Sequence, residues 1–380
     1  MNKMIRQLLP FGTLTLIICI LSALKPDIFL TSENILNVLS RSSVNGIIAV
    51  GMTLVIISAG IDLSVGSMLA LVGMCAGGIM VMIPELAQND SGGVFNSMLQ
   101  WMVDNPTSIL LTGSLAGILV GFLCGCLNGT LITKLKLPPF IVTLGTMSAF
   151  RGVSYVMNAG KPFDVPSYTF LGSGLVPLYK TLEKTVLTTA GKLEKEVLEV
   201  LTPWSSVDPQ NLEEGARVVS HGIPVCIILF AVIVVIAGFV LKFTRLGRYT
   251  YAIGSNRQAA FHAGINVDKT LIAIYTLTGL VVAIGALIAT SRTVSAQPTA
   301  GITLELDIIA AVVIGGASLS GGRGTITGTI IGTLLISFLR NGCTLLGIST
   351  NIQLIVIGAI IITAVALDQM ARSKAQTTKS

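Results

Sequence analysis

Charge is what this sequence has least of. Only 11% of its 380 residues are charged, against roughly 25% in an ordinary soluble domain. So few charges cannot cover the surface of a water-soluble globule of this length. Histidine is scarcer still: His221 and His262 are the only two, far apart in sequence. No cysteine pair at metal-ligand spacing has a histidine beside it, which argues against a zinc site. The six cysteines (Cys19, Cys75, Cys124, Cys126, Cys226 and Cys343) lie within or at the ends of apolar runs. They read as reduced packing residues and not as a disulfide frame. The chain also lacks a GxxxxGK[ST] motif, so it does not hydrolyse ATP through a P-loop. No nucleophile, base and orienting group cluster together, so a membrane enzyme has no support.

What is present is apolar. Hydrophobic residues make up 52% of the chain, and the mean hydropathy is +0.84. Forty glycines follow no G-X-Y period; small residues of this kind are frequent where membrane helices pack closely. The class is an all-α polytopic membrane protein embedded in the lipid bilayer. A net charge of +6 therefore does not point to nucleic acid, since cytoplasmic loops of membrane proteins are enriched in Lys and Arg.

A bilayer core takes about 20 apolar residues per helix. On that rule ten spans are expected, near 8–24, 44–60, 63–83, 108–132, 139–157, 221–241, 270–290, 306–320, 325–346 and 351–368. Lys3 and Arg6 precede an apolar stretch without an A-x-A cleavage site, which reads as an uncleaved first span. The eighth span is short and Gly-rich and reads as broken or re-entrant, a form tolerated only where protein or a cavity surrounds it. With ten spans, Lys134, Lys136, Lys242, Arg245, Arg248, Arg257, Lys269 and Arg323 all fall on the side of both termini. That side is expected to be the cytoplasm of a bacterial inner membrane.

The chain reads as one transmembrane domain over residues 1–380, with an extracytoplasmic loop at 158–220. Inside that loop, "TLEKTVLTTAGKLEKEVLEVL" (181–201) has apolar residues at mixed three and four spacing, which predicts an amphipathic helix outside the bilayer. The next stretch, to about Val219, is expected to be irregular and then helical. The insertion is either a solvated surface or a docking surface. Spans two to five and seven to ten share a small-residue texture and a Gly/Ser-rich break. Their offset of five spans is odd, so as repeats they would be inverted.

Between Ser42 and Pro84 the only formal charge is Asp62, at the junction of two spans in "SAGIDLSVGS". It reads as a turn that caps the next helix through Asp62 or Ser64, or as part of a cytoplasmic gate or a contact with a basic partner. The segment "TRLGRYTYAIGSNRQAAFHAGI" (244–265) is basic and falls on the cytoplasmic side. Ser255 or Asn256 caps a short helix with Ala259 and Ala260 inside. This is either an interfacial connector or a helix that lies in a groove of another protein.

These segments, with "SVNGIIAVGMTLVIISAGIDLSVGS" (43–67), "LNGTLITKLKLPPFIVTLGTMSAFRGVSYV" (127–156) and "ELDIIAAVVIGGASLSGGRGTITGTIIGTLL" (305–335), resemble the permease subunit of ribose-type ABC sugar importers. The resemblance covers nearly the whole chain in order, except about 175–215. It implies a type II-like importer fold with inverted repeats. It also implies import of a monosaccharide or similar small polar solute. The partners it implies are a cytoplasmic ABC ATPase, an extracytoplasmic sugar-binding protein and a second permease subunit. No cofactor would be bound by this chain, and ATP would be used by the partner ATPase. Residues Gly254, Ser255, Asn256, Ala259, Ala260 and Gly264, in the cytoplasmic segment 243–268, resemble the coupling helix. Relative to the family, the connector between spans five and six is long.

Pathway or gate candidates are the polar groups in or beside spans: Asp62, Ser67, Asn128, Thr143, Arg151, Glu305 and Asp307. Each either bonds helix to helix or lines a passage. Glu305 and Asp307 also suit a helix N-terminus electrostatically. Mid-span charges are nearly absent, Arg151 being the exception. That weakens the rival reading, an ion-gradient-driven secondary transporter of a small polar solute, which needs intramembrane relays. A structural membrane protein without transport fits the composition but not the segment 244–265.

Overall fold

A computed structural model describes residues 3–89, 94–165, 168–187, 193–201 and 216–377. Six helices are long and apolar enough to cross a membrane. They are α3 (Ser32–Ile57), α4 (Val65–Asn89), α6 (Pro106–Lys134), α9 (Val225–Phe243), α12 (Val267–Thr293) and α14 (Ile326–Leu345). The other four expected spans are also helical: α1 (Lys3–Leu24), α7 (Pro139–Val156), α13 (Leu304–Ile314) and α15 (Thr350–Thr377). Short helices α2 (Pro26–Phe29), α5 (Val94–Asp104), α8 (Phe170–Ser173), α10 (Arg245–Ser255) and α11 (Arg257–His262) connect them.

Local chemistry sets the ends of these helices. The hydroxyl of Thr31 accepts from the Asn34 amide and starts α3, a side-chain cap on an otherwise orphan donor. Pro106 and Pro139 open α6 and α7, where a missing N–H costs nothing. The start of α3 at Ser32 lies twelve residues before the expected Val44. Asn34, Ser40, Ser42 and Ser43 are buried there, so the polar turns that masked it in sequence face other helices. One such contact is a reciprocal amide pair between Asn34 and Asn341 of α14, at 3.1 and 2.9 Å.

Close packing comes from glycine. Gly113, Gly117, Gly121, Gly125 and Gly129 recur every four residues along α6 and are all buried. A Cβ on Gly121 would sit 2.6 Å from the Gly279 carbonyl oxygen of α12, and one on Gly125 would press against that of Tyr275. Backbones thus meet directly, which is how helices gain dispersion contact in lipid.

The packing pattern is that of a twofold-related pair of four-helix repeats. Helices α3 and α12 pack on each other at the centre. α3 contacts α14, and correspondingly α12 contacts α6. α4 packs on α6, α7 and α12; α13 packs on α14, α15 and α3. Exchanging α3, α4, α6 and α7 for α12, α13, α14 and α15 maps each contact onto another. An odd offset in spans makes the two sets run oppositely, as inverted repeats do.

The loop between α7 and α9 departs from expectation. Residues 181–201 do not form a helix. Strands β2 (Leu175–Leu187), β3 (Leu193–Leu201) and β4 (Ala216–Pro224) form an antiparallel sheet in the order β3-β2-β4. Leu187 pairs with Leu193 in one ladder and Leu175 with Pro224 in the other. The helical continuation expected before Val219 is likewise strand β4 where the structure describes it, and residues 202–215 lie outside the described set. A second, two-stranded ribbon pairs β1 (Phe163–Asp164) with β5 (Ser295–Ala296).

Candidate coupling and translocation site

Three consecutive short caps shape the basic segment. Thr244 accepts from Gly247 and starts α10. Asn256, extended at φ −160°, accepts from Ala259 through Oδ1 at 2.9 Å and starts α11. Asn266 accepts from Lys269 and starts α12. Gly264 turns the chain between the last two at φ +82°, a conformation that favours glycine. The expected candidates divide between two faces. Gly254 and Ala260 are buried, whereas Ser255, Asn256, Ala259 and Gly264 are exposed. Phe261, absent from the expected set, is the largest apolar side chain on the outer face of α11, at 66% exposure.

Gly254 sits where three elements meet. A Cβ there would lie against the carbonyl oxygen of Ile57, the last residue of α3, and 2.6 Å from the Gly322 amide. That amide donates to the same Ile57 oxygen at 2.8 Å. Tyr251 of α10 donates through its hydroxyl to the Gly324 carbonyl at 2.8 Å. The basic segment therefore contacts both α3 and the glycine-rich turn between α13 and α14. One helix end from each repeat meets it.

The turn joining α3 to α4 gathers four of the pathway candidates. Asp62 is fully buried, and its Oδ1 accepts from the Ser64 amide at 2.9 Å and from the Ser64 hydroxyl at 2.6 Å. Asn128 of α6 donates to the Ser64 hydroxyl at 2.8 Å. Thr143 of α7 donates to the Ile61 carbonyl at 3.2 Å, and Ser67 donates to the Ser64 carbonyl at 2.9 Å. Asp62 Oδ2, Asn128 Oδ1 and the hydroxyl of Tyr275 are buried without a hydrogen-bond partner. Burial pushes the Asp62 carboxyl above the usual carboxylate range, against the opposing bonds from Ser64. Below the turn, a cavity of about 120 Å³ is lined by Ser58, Gly60, Ile253, Arg257 and Tyr275 among others.

The remaining candidates split again. Arg151 of α7 donates through Nη1 to the carbonyls of Pro298 and Ala300, at 2.7 and 2.6 Å. Those carbonyls belong to the non-helical loop before α13. Glu305, in the first turn of α13, lies against Gly66 at the start of α4. Asp307 faces away from this group and accepts both of its bonds from Arg340 of α14, at 2.9 and 2.7 Å. Arg151 is thus not the lone charge within the spans. Arg340 is a second, found by pairing it with the expected Asp307. The expectation for the eighth span holds: α13 has 11 residues, about 16 Å of helix against a bilayer core of about 30 Å.

Apolar helices, eight of them in two opposed four-helix repeats, around a short helix and a buried polar turn, define a polytopic membrane permease. Residues 34–365 match the family described as the permease component of branched-chain amino acid transport systems, and the chain belongs to that family. It is 40% identical over 368 residues to the ribose import permease protein RbsC of Bacillus subtilis, covering 97% of this chain and 94% of that one. The RbsC of Haemophilus influenzae is 36% identical over 370 residues, with 96% and 93% covered. The xylose transport system permease protein XylH of Escherichia coli is 33% identical over 365 residues, with 91% and 87% covered. No solved structure matches. The family and the apolar helices make the chain a multi-pass protein of the inner membrane.

Proposed function

We propose that this chain is the membrane-spanning subunit of an ATP-driven importer that carries a monosaccharide into the cytoplasm. The observation that carries the reading is likeness to ribose and xylose permeases over more than nine-tenths of the chain. The chain itself binds no cofactor; ATP is used by a cytoplasmic ATPase partner. A sugar-binding protein delivers substrate from outside, and a second permease subunit completes the passage. Both chain termini face the cytoplasm.

Coupling runs through α10 and α11. Closure of the ATPase dimer pushes α11 and the residues that flank it, an exposed surface that carries Ser255, Asn256, Ala259, Phe261 and Gly264. The push reaches Gly254, which bears on Ile57 and Gly322 without a side chain between them. A contact this short transmits displacement because packed interfaces move as rigid bodies. The two repeats then shift against each other, and the turn holding Asp62, Ser67, Asn128 and Thr143 opens or closes the inner end. Arg151, Glu305 and Asp307 hold the broken helix.

Copurification with the ATPase encoded beside this gene tests the coupling role. Ala259→Arg, on the exposed face, is expected to abolish the complex while membrane levels stay normal. Persistence of the complex and of transport would overturn the assignment of α11. Ala260→Arg is a poorer probe, because Ala260 is 5% exposed and a buried guanidinium disturbs folding first.

A further inference from the structure

The loop between β5 and α13 reaches into the body of the protein. Ala296 touches Gly77, the middle residue of α4, at 2.7 Å from an added Cβ. Gly301 meets Gly66, at the start of α4, backbone to backbone. These two points are eleven residues apart on α4, about 16 Å along its axis. The loop has turns instead of helix, with Gly301 at φ +68° and Thr303 at φ +66°. Irregular backbone at membrane depth does not face lipid; it is buried in protein or lines a water-filled cavity.

The side chains select between those two. Buried Ala296 and Pro298 alternate with exposed Gln297 and Thr299. Two polar side chains exposed at the level of a spanning helix's middle need water or polar solute against them. Thr299 lies between the two carbonyls that Arg151 holds. Arg151 and Glu305, beside the loop, are half-buried and so stand behind this surface.

Resting on the importer reading, we propose that residues 297–303 form the polar wall of the passage. Gln297 and Thr299 are its contact residues for a polyhydroxylated solute, and Arg151 is a positioning residue that fixes the loop. An amide and a hydroxyl donate and accept alike, so they exchange hydrogen bonds with successive sugar hydroxyls without holding any one tightly.

The test uses the whole transporter in vesicles, with labelled ribose as the probe and a charged, membrane-impermeant thiol reagent added outside. Thr299→Cys and Gln297→Cys are expected to react above the background of the native cysteines and to lose uptake on reaction. Leu119→Cys, on the exposed apolar face of α6, is expected to stay unreactive in lipid. Uptake by Gln297→Ala and Thr299→Val is expected to fall by about tenfold with ATPase association unchanged, the scale of one lost polar contact. Adding Arg151→Ala to Thr299→Cys should change the rate of labelling, which a purely stabilising arginine would not do. If both loop variants are as unreactive as Leu119→Cys, or transport normally after labelling, the wall is elsewhere. Failure of the unaltered chain to take up ribose under ATP is a different result and would overturn the importer reading for that sugar.

Discussion

At the scale of single residues, the same amino acid has opposite roles in different helices. A Cβ on Gly125 would press against the Tyr275 carbonyl, whereas one on Gly145 meets nothing within 4 Å. Gly125→Ala is expected to lower stability by roughly 1–3 kcal/mol, the cost of overpacking, and Gly145→Ala to leave it unchanged. Thermal unfolding of the two variants in detergent checks the contrast. Asp62 gives a second prediction. Its carboxyl is pushed up by burial, so between the unfolded and folded values the folded chain holds the extra proton. Stability therefore falls as pH rises through that window. Asp62→Asn keeps an acceptor for Ser64 and removes the ionisable group. Its unfolding temperature is expected to stay flat with rising pH while that of the unaltered chain declines; parallel curves would show that the carboxyl does not titrate there.

Among elements, the spanning helices were readable in the sequence and the outer sheet was not. Apolar runs place the ten expected helices, six of them long and apolar enough to cross a membrane, because lipid leaves the backbone no other partner. The segment 181–201 has apolar residues at helical spacing, yet its first strand, β2, pairs on one side with Ala216–Pro224, a partner more than thirty residues away that no local period reveals. The β-branched run Thr185–Val186 and Thr188–Thr189, followed by Ala-Gly, was the available signal for a hairpin. In the site, Asp62, Ser67, Asn128 and Thr143 stood out as polar residues among apolar ones. Tyr275 and Arg340 did not, since a tyrosine and an arginine near span ends are common; only packing shows Tyr275 buried beside Asp62 and Arg340 half-buried against Asp307. The Asp307–Arg340 pair ties α13 to α14 and gives a prediction at this scale. Arg340→Met leaves a carboxylate without its partner and is expected to cost roughly 2–3 kcal/mol, less than a fully buried pair because Arg340 is 27% exposed. Adding Asp307→Asn should recover most of the loss. A double variant no better than the single one would show that the pair is not coupled.

For the whole molecule, the turns that ten spans assign to one side come together in space. Ser58 and Gly60 after α3, Ile132 and Pro139 flanking the α6–α7 turn, Ile253 and Arg257 in the basic segment, and Leu271 early in α12 line a single cavity. The turn after α13 joins them where Gly322 donates to Ile57. Turns gathered in one layer carry Lys134, Lys136, Lys242, Arg245, Arg248 and Arg323, whereas the opposite layer carries the β1–β5 ribbon and the three-stranded sheet. The excess of cations in short loops sets orientation, so the orientation proposed above puts the layer with the cavity on the cytoplasmic side. The expected result follows for a membrane-impermeant thiol reagent: Lys136→Cys reacts only in inverted vesicles and Phe170→Cys only in right-side-out ones. Gly254 and α11 then lie where an ATPase can reach them. The reverse labelling pattern would put the basic segment outside, beyond the reach of cytoplasmic ATP, and the coupling path through Ile57 and Gly322 would have nothing to drive it.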